Sequence, residues 1–365
     1  MGKAKATRKS RPIRLGILGL GRAGFRMQCR EIKDKPDMFE VVAACDHYEP
    51  HRRRMAESHP SCTIYKDMRD LLADPNVEMV SIATRSIDHA KHAMMALKAG
   101  KHVLLEKPMA TTYADAKKLV AAAKRAKGGL FIRHSRRFDP EFLHVREILA
   151  TGVLGEIKVV KLARIGYQRR DDWQTIAKYG GGQLLNNGPH PIDQGLQFLG
   201  APKKPLKDIW GSLQLVSSVG DAEDHAKIVL RGADGAVADI EVGNGSAAHV
   251  PEVVIWGTKG GLLVQGKTIT VKYIDPKKKL PPRPLNEGAP GDSFGSKEEL
   301  PWIEKSFPIA PKTRPNIWDE LYKAVRLRKK YPIALEEALE VMRVISEVKR
   351  ISGYKPAKLK ARARK

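Results

Sequence analysis

Three short stretches hold the residues whose types and spacing can do chemistry. In the first, Gly19, Gly21 and Gly24 stand as G-x-G-x-x-G directly behind the apolar run of Ile13, Leu15, Ile17 and Leu18. Gly19 permits a tight turn, Gly21 lets backbone approach a pyrophosphate, and Gly24 lets a following helix pack on the strand. The free N–H groups of that helix's first turn, those of Arg22 and Ala23 included, attract phosphate charge. Asp46 closes the next apolar run, Val41 to Cys45, at roughly the 20-residue spacing of a carboxylate that binds ribose hydroxyls. This is the pattern of a dinucleotide site. Because the Asp46 carboxylate repels a 2′-phosphate, it favours NAD over NADP.

The second stretch joins Thr84 and Arg85 to Glu106-Lys107-Pro108. Both pieces follow apolar runs, Met79 to Ala83 and His102 to Leu105, and ligands lie at the C-terminal ends of such strands. The third stretch, Gly180 to Asp193, reads G-G-G-Q-L-L-N-N-G-P-H-P-I-D. Its three glycines leave a loop without side-chain bulk, and His190 and Asp193, three apart, share the face of the helix that follows. Removing hydride from a carbinol carbon requires a base for the hydroxyl proton and a cation for the developing alkoxide, which an imidazole and an ammonium can supply. Taken singly, Lys107 also reads as a surface salt-bridge lysine and His190 as a capping or core histidine.

These residues need a frame. Helical patterns at Phe25 to Lys33, Pro50 to Ser58, Asp67 to Ala73, Ile87 to Ala99 and Tyr113 to Lys127 alternate with apolar runs as far as Leu130 to Ile132. That alternation implies a parallel sheet covered by helices on both faces. Residues 13–133 therefore read as a dinucleotide-binding domain. Beyond them a helix at Glu141 to Ala150 leads into strand patterns at Glu156 to Arg164, Trp210 to Val216, Ala226 to Leu230, Val237 to Val242, Val253 to Trp256 and Leu262 to Val264. Turns at Ala233-Asp234-Gly235 and Gly257 to Gly261 join several of them as hairpins. Residues 134–353 thus read as an α/β domain with a large, mostly antiparallel open sheet. A Pro-, Gly- and charge-rich run from Asp275 to Trp302 reads as a surface loop, and two helices close the chain, the last with an apolar stripe from Leu335 to Val348 and a stop at Gly353.

At 365 residues and 42% hydrophobic content the chain reads as a two-domain globular protein, with no transmembrane run or signal sequence expected, and a cytoplasmic location is expected. Cys29, Cys45 and Cys62 lack the paired spacing of a zinc or redox motif, and no metal site is expected. The net charge of +25 invites a nucleic-acid reading. Much of it sits in residues 1–12 and 354–365, which read as disordered basic arms that bind polyanions weakly. No helix-turn-helix, zinc pattern or aromatic-basic platform supports specific nucleic-acid recognition.

In order, G-L-G-R-A-G, E-K-P at Glu106 to Pro108 and G-G-G-Q-L-L-N-N-G-P-H resemble the Gfo/Idh/MocA family of nicotinamide-dependent oxidoreductases. The likeness runs from about residue 13 to 353 and includes W-G-T-K-G-G-L-L-V in the sheet domain. It implies an N-terminal Rossmann domain, a C-terminal α/β domain whose open sheet often mediates oligomers, and a sugar, polyol or related substrate between them. The family's catalytic lysine falls on Lys107 and its histidine on His190, and His89 matches a position near the cofactor. Asn186 stands where many members carry Asp, and Arg85 where a proline or small polar residue is common.

Before the glycine loop, Arg137, Arg164, Tyr167, Arg170, Asp171, Asp172 and Trp173 form a polar and aromatic set suited to a hydroxylated ring. With Asn187 and Asp193, the residues Arg137, Arg164, Tyr167 and Trp173 are the candidate substrate contacts. Lys107, His190 and Asn186 are the candidate catalytic set. Gly19, Gly21, Arg22, Ala23, Gly24, Asp46, Thr84, His89, Glu106 and Lys107 are the candidate cofactor contacts. His92 and His134 read as satisfied core or helix histidines. Two other functions fit the same motifs: a redox-neutral glycosidase or lyase that oxidises and re-reduces its sugar on bound NAD, and a non-catalytic dinucleotide-binding sensor or scaffold.

Overall fold

The computed structural model describes residues 11–285, 287–288, 298–309 and 316–356. Strands β1 (Ile13–Leu18), β2 (Phe39–Cys45), β3 (Thr63–Tyr65), β4 (Met79–Ile82), β5 (His102–Glu106) and β6 (Leu130–Arg133) form a parallel sheet in the order β3-β2-β1-β4-β5-β6. Ile13, Leu15 and Ile17 are buried in one core cluster and Leu18 in the other. Both faces of β1 are covered, which is why its sequence runs apolar without alternation. The crossovers carry α1 (Arg22–Cys29, π-wound and continued by Arg30–Ile32), α2 (Glu49–Ser58), α3 (Met68–Ala73), α4 (His89–Lys98) and α5 (Tyr113–Arg125). Strand β3 is an element that the sequence reading did not anticipate. Ile87, where the helical pattern was expected to begin, lies before α4 and is exposed.

After α6 (Pro140–Ala150), strand β7 (Ile157–Ile165) enters a second sheet. Two helices follow it, α7 (Gln183–Asn186) and α8 (Pro189–Leu199). Then come β8 (Asp208–Gln214), β9 (His225–Arg231), β10 (Val237–Gly243), β11 (Val253–Gly257), β12 (Gly260–Gln265), β13 (Thr268–Ile274) and β14 (Trp302–Pro308). The order is β14-β13-β12-β11-β7-β10-β9-β8, antiparallel except where β7 and β10 run parallel. Alternate residues such as Val160, Leu162, Ile228, Ile240 and Ile255 are buried on the face that meets α8 and α10 (Leu335–Ser352).

The closing helices return to the first sheet. In α9 (Ile317–Arg326), Ile317, Trp318 and Leu321 share a core with Ile13, Leu15 and Phe39. Helix α10 packs on α5 as well as on α8 and β8, and Gly353 ends it at a left-handed φ of 61°. Residues 1–10 and 357–365 of the expected basic arms lie outside the described residues. Arg11, Pro12 and Tyr354, which those arms were expected to include, are held: Arg11 pairs with Glu78 at 2.8 Å, Arg326 donates to Pro12 O at 2.8 Å, and the Tyr354 hydroxyl donates to Asp221 O at 2.9 Å. Among the described residues no helix is long and apolar enough to cross a membrane, and no group of His, Cys, Asp or Glu has metal-binding geometry.

Candidate active site

A cavity of about 1760 Å³ runs from the glycine loop after β1 to the helices after β7. At its first end Gly19 has a φ of +94°, and a Cβ there would lie 2.6 Å from Ala83 O. A Cβ on Gly24 would strike Gly19 O, whereas one on Gly21 would meet nothing within 4 Å. The two flanking glycines make the turn and its packing, and Gly21 leaves open the side that a pyrophosphate needs. Gly21, Arg22, Ala23 and Asp46 all line the cavity. Asp46 Oδ2 accepts from Leu20 N at 2.7 Å and faces His51 Nδ1 at 3.0 Å, and Oδ1 accepts from Tyr48 N at 2.9 Å. Burial opposes the charge of this carboxylate, but the N–H groups of Tyr48 and Leu20 together with His51 outweigh it and hold the group below the usual carboxylate range.

At the other end Lys107 follows β5, joined to Pro108 by a cis peptide bond. Its Nζ donates to Asn186 O at 2.6 Å. Burial pushes its ammonium down to about 8, with Glu106 opposing and Arg133 assisting. Glu106 accepts from Gln28 Nε2 at 3.1 Å and from Arg133 Nη1 at 3.0 Å, and Arg133 also pairs with Glu31. His190 lies on α8 and lines the cavity beside Lys107 and Asn186. Burial, then the charges of Lys107, His134, Arg136 and Arg164, hold its imidazole well below the usual histidine range. Its Nδ1 is buried without a hydrogen-bond partner among the described residues. A neutral imidazole and an ammonium poised for partial ionisation therefore share one end of the cavity.

The candidate residues do not all converge there. Asn186 reaches the cavity, but its side chain is paired reciprocally with Gln174, Nε2 to Oδ1 at 2.9 Å and Nδ2 to Oε1 at 3.2 Å, so Lys107 meets its backbone carbonyl instead. Thr84 and Glu106 line the cavity; His89 lines it while its ring nitrogens contact Pro108 O at 2.7 Å and Thr84 O at 3.1 Å, tying together the loops after β4 and β5. Trp173 and Asn187 also line it.

Arg137 and Asp193 do not: they bind each other through Nε–Oδ2 at 2.6 Å and Nη2–Oδ1 at 2.5 Å, and Arg137 continues to Glu337 at 2.7 Å. Asp193 is 1% exposed, so this is an internal brace between α8 and α10. Arg164 sits behind α8 against Gln194 Oε1 at 3.5 Å, and Tyr167 is 61% exposed in a bridge with Gly245. His134, in edge-to-face contact with His190 at 6.5 Å, has an Nδ1 without a hydrogen-bond partner among the described residues and is not the satisfied core histidine expected.

Arg136, Gln174 and Trp318 line the cavity and were not anticipated. Arg136 lies just past β6, where the strand-end rule would have found it. Gln174 lies in the turn Trp173–Thr175, beside the polar set read from the sequence, and Trp318 arrives on α9, far along the chain.

Residues 13–134 match the model of an oxidoreductase family with an NAD-binding Rossmann fold, and residues 142–263 match the GFO/IDH/MocA C-terminal domain. The chain belongs to the Gfo/Idh/MocA family. An uncharacterized oxidoreductase of Schizosaccharomyces pombe is 33% identical over 60% of this chain and 60% of its own length. The matched region spans about 60% of the first of these relatives. Myo-inositol 2-dehydrogenase of Thermotoga maritima is 28% identical over 68% of this chain and 74% of its length. Among solved Gfo/Idh/MocA-like folds, an NAD-binding protein from Listeria innocua superposes with a TM-score of 0.77 over 94% of this chain and 95% of its own, at 24% identity.

Proposed function

We propose that the chain is an NAD-dependent oxidoreductase acting on a secondary carbinol of a sugar, cyclic polyol or related hydroxylated compound. The observation that carries this reading is the meeting of Lys107 and His190 in the cavity whose far end is the glycine loop. NAD, when bound, supplies the hydride acceptor. The open side of Gly21 and the first-turn N–H groups at Arg22 and Ala23 suit its pyrophosphate, and Asp46 suits a ribose hydroxyl.

Lys107 commits one N–H to Asn186 O and has two more with which to donate to a substrate oxygen and steady the alkoxide. His190, held neutral, accepts the hydroxyl proton at Nε2, since its Nδ1 is buried. Trp173 offers an apolar face and Asn187 a polar one to a hydroxylated ring. The likeness to an inositol dehydrogenase supports that substrate class. A panel of sugars and cyclic polyols screened for NADH formation tests the reading. Net NADH is expected with at least one of them. Tightly held NAD without net change indicates redox-neutral chemistry, and bound NAD without turnover a sensor.

Two arginines beside Asp46 bear on cofactor choice, because free guanidiniums there would welcome a 2′-phosphate. Arg52 Nη1 donates to Asp46 O at 3.0 Å and His47 O at 2.8 Å, and Arg54 Nη2 to Leu20 O at 2.6 Å. Both are engaged on backbone, which supports NAD over NADP. Calorimetric titration should find NAD the tighter ligand, and tighter NADP binding would reverse the assignment. We further propose that copies of the chain associate through the outer face of the second sheet.

A further inference from the structure

The three glycines of the Gly180–Gly182 loop are not bare. A Cβ on Gly180 would lie 2.9 Å from Thr111 Cγ2, and one on Gly181 2.6 Å from Gln174 O. One on Gly182 would collide with both carboxylate oxygens of Glu223. Glu223 is buried just ahead of β9. Its Oε1 accepts from Leu184 N at 3.1 Å, and its backbone carbonyl accepts from Gln183 N at 3.0 Å. Both donors belong to α7, whose last residue, Asn186, holds Lys107 through its carbonyl at 2.6 Å. The neighbouring Asp224 turns elsewhere, accepting from Val216, Ser217 and Ser218 N–H groups.

We propose that Glu223 is the positioning residue of the catalytic turn: its carboxylate fills the space that Gly182 leaves, anchors α7, and through Asn186 O sets the Lys107 ammonium. For the role of Lys107, this rests on the oxidoreductase reading above. The anchor itself does not.

The anchor is built to respond to pH. Burial raises the Glu223 carboxyl to about 7, against the Leu184 N–H and the Lys349 ammonium. Among the described residues, the other charged and titratable groups nearby are Asp224 beside it, Asp221 two residues before it, and Tyr354 where the chain leaves α10. The ionised carboxylate accepts the Leu184 N–H and attracts Lys349 more strongly than the protonated one. Lys107 should therefore be best held above the Glu223 titration. His190 titrates well below that range and Lys107 at about 8, so an acidic limb of kcat/KM near 7 belongs to Glu223.

Two variants test this in the full chain with NAD bound. Glu223→Gln keeps shape and an acceptor but cannot ionise. It should remove the acidic limb and lower kcat about tenfold, with the KM for NAD within about twofold. Lys349→Met withdraws the facing cation and should move the limb to higher pH, which a merely structural carboxyl would not do. A limb unchanged in both variants overturns the proposal. Hydrogen exchange over residues 183–190, compared at one pH, reads the anchor without turnover. Exchange about tenfold faster in Glu223→Gln supports it, even if no substrate is found and the oxidoreductase reading fails. Equal protection in variant and parent overturns it.

Discussion

At the scale of residues, the site depends on two bases that burial holds back from their ordinary charge. Lys107 titrates at about 8, so its ammonium, and the rate that depends on it, should fall as pH rises through that value. An alkaline limb of kcat/KM near 8 is expected. Lys107→Ala should lower kcat about 10²- to 10³-fold while leaving NAD affinity largely intact, as single-turnover and equilibrium-binding measurements can separate. Arg137 and Asp193 belong to a different ledger. Asp193→Ala should lower stability toward the lower end of the roughly 3–5 kcal/mol typical of a broken buried pair, because Glu337 still faces Arg137. Denaturant unfolding reads that loss, and an unchanged substrate KM would separate the pair from the site. The sequence makes Asp193 look functional because it is a charged residue one helical step from His190. Its partner is 56 positions away, and nothing in local spacing reveals it.

At the scale of elements, legibility followed how local the cause was. The G-x-G-x-x-G turn was readable because Gly19 and Gly24 answer contacts within a few residues or on an adjacent strand, as the approach of Gly24 to Gly19 O shows, while Gly21 leaves its side open. The hairpins at Gly235 and at Gly257 to Gly261 were readable for the same reason. Strand β13 escaped although T-I-T-V-K-Y-I alternates, and buried Ile269 and Val271 against exposed Thr268 and Lys272 bear that period out. The glycine loop misled: its lack of side chains serves Gln174 O and Glu223, which come from elsewhere in the chain. Helix α9 shows the limit most plainly. Its Asn316 capping box is visible in sequence, but its reach to the cavity is not. Trp318 is 1% exposed, stacks edge-on to Phe39 at 5.2 Å and donates to Glu31 at 2.8 Å. Trp318→Ala should cost about 3–5 kcal/mol of stability. It should also weaken NAD binding in the folded fraction, since Glu31 and Trp318 both line the cavity; calorimetry at a temperature where the variant is folded would show normal affinity if α9 only supports the fold.

At the scale of the whole molecule, the second sheet presents one covered face and one open one. Pairing places Trp256 across from Val159 and Gly261, Trp210 across from Val229, and Trp302 across from Ile274. The three tryptophans are 48%, 51% and 45% exposed, on the face opposite the buried Val160, Ile228 and Ile255. In the single chain, Lys161 lies 4.6 Å from the ring of Trp256 and Lys272 lies 5.8 Å from that of Trp302. Such exposed cation–π contacts are worth about 0.5–1 kcal/mol each. Burying a large apolar side chain against a second sheet is worth about 1.5–3 kcal/mol, which favours the proposed association if the lysines slide aside and keep their charge in water. Trp256, near the middle of the strand order, is the side chain whose change should matter most. Trp256→Glu places an unpaired charge at the centre of that face and should convert the proposed oligomer to single chains in sedimentation velocity, while Trp302→Glu, on the edge strand β14, should weaken association less. The Trp256 variant should retain kcat, because none of the outer-face tryptophans lines the cavity that holds Lys107 and His190. An oligomer that persists in Trp256→Glu would move the interface away from this sheet.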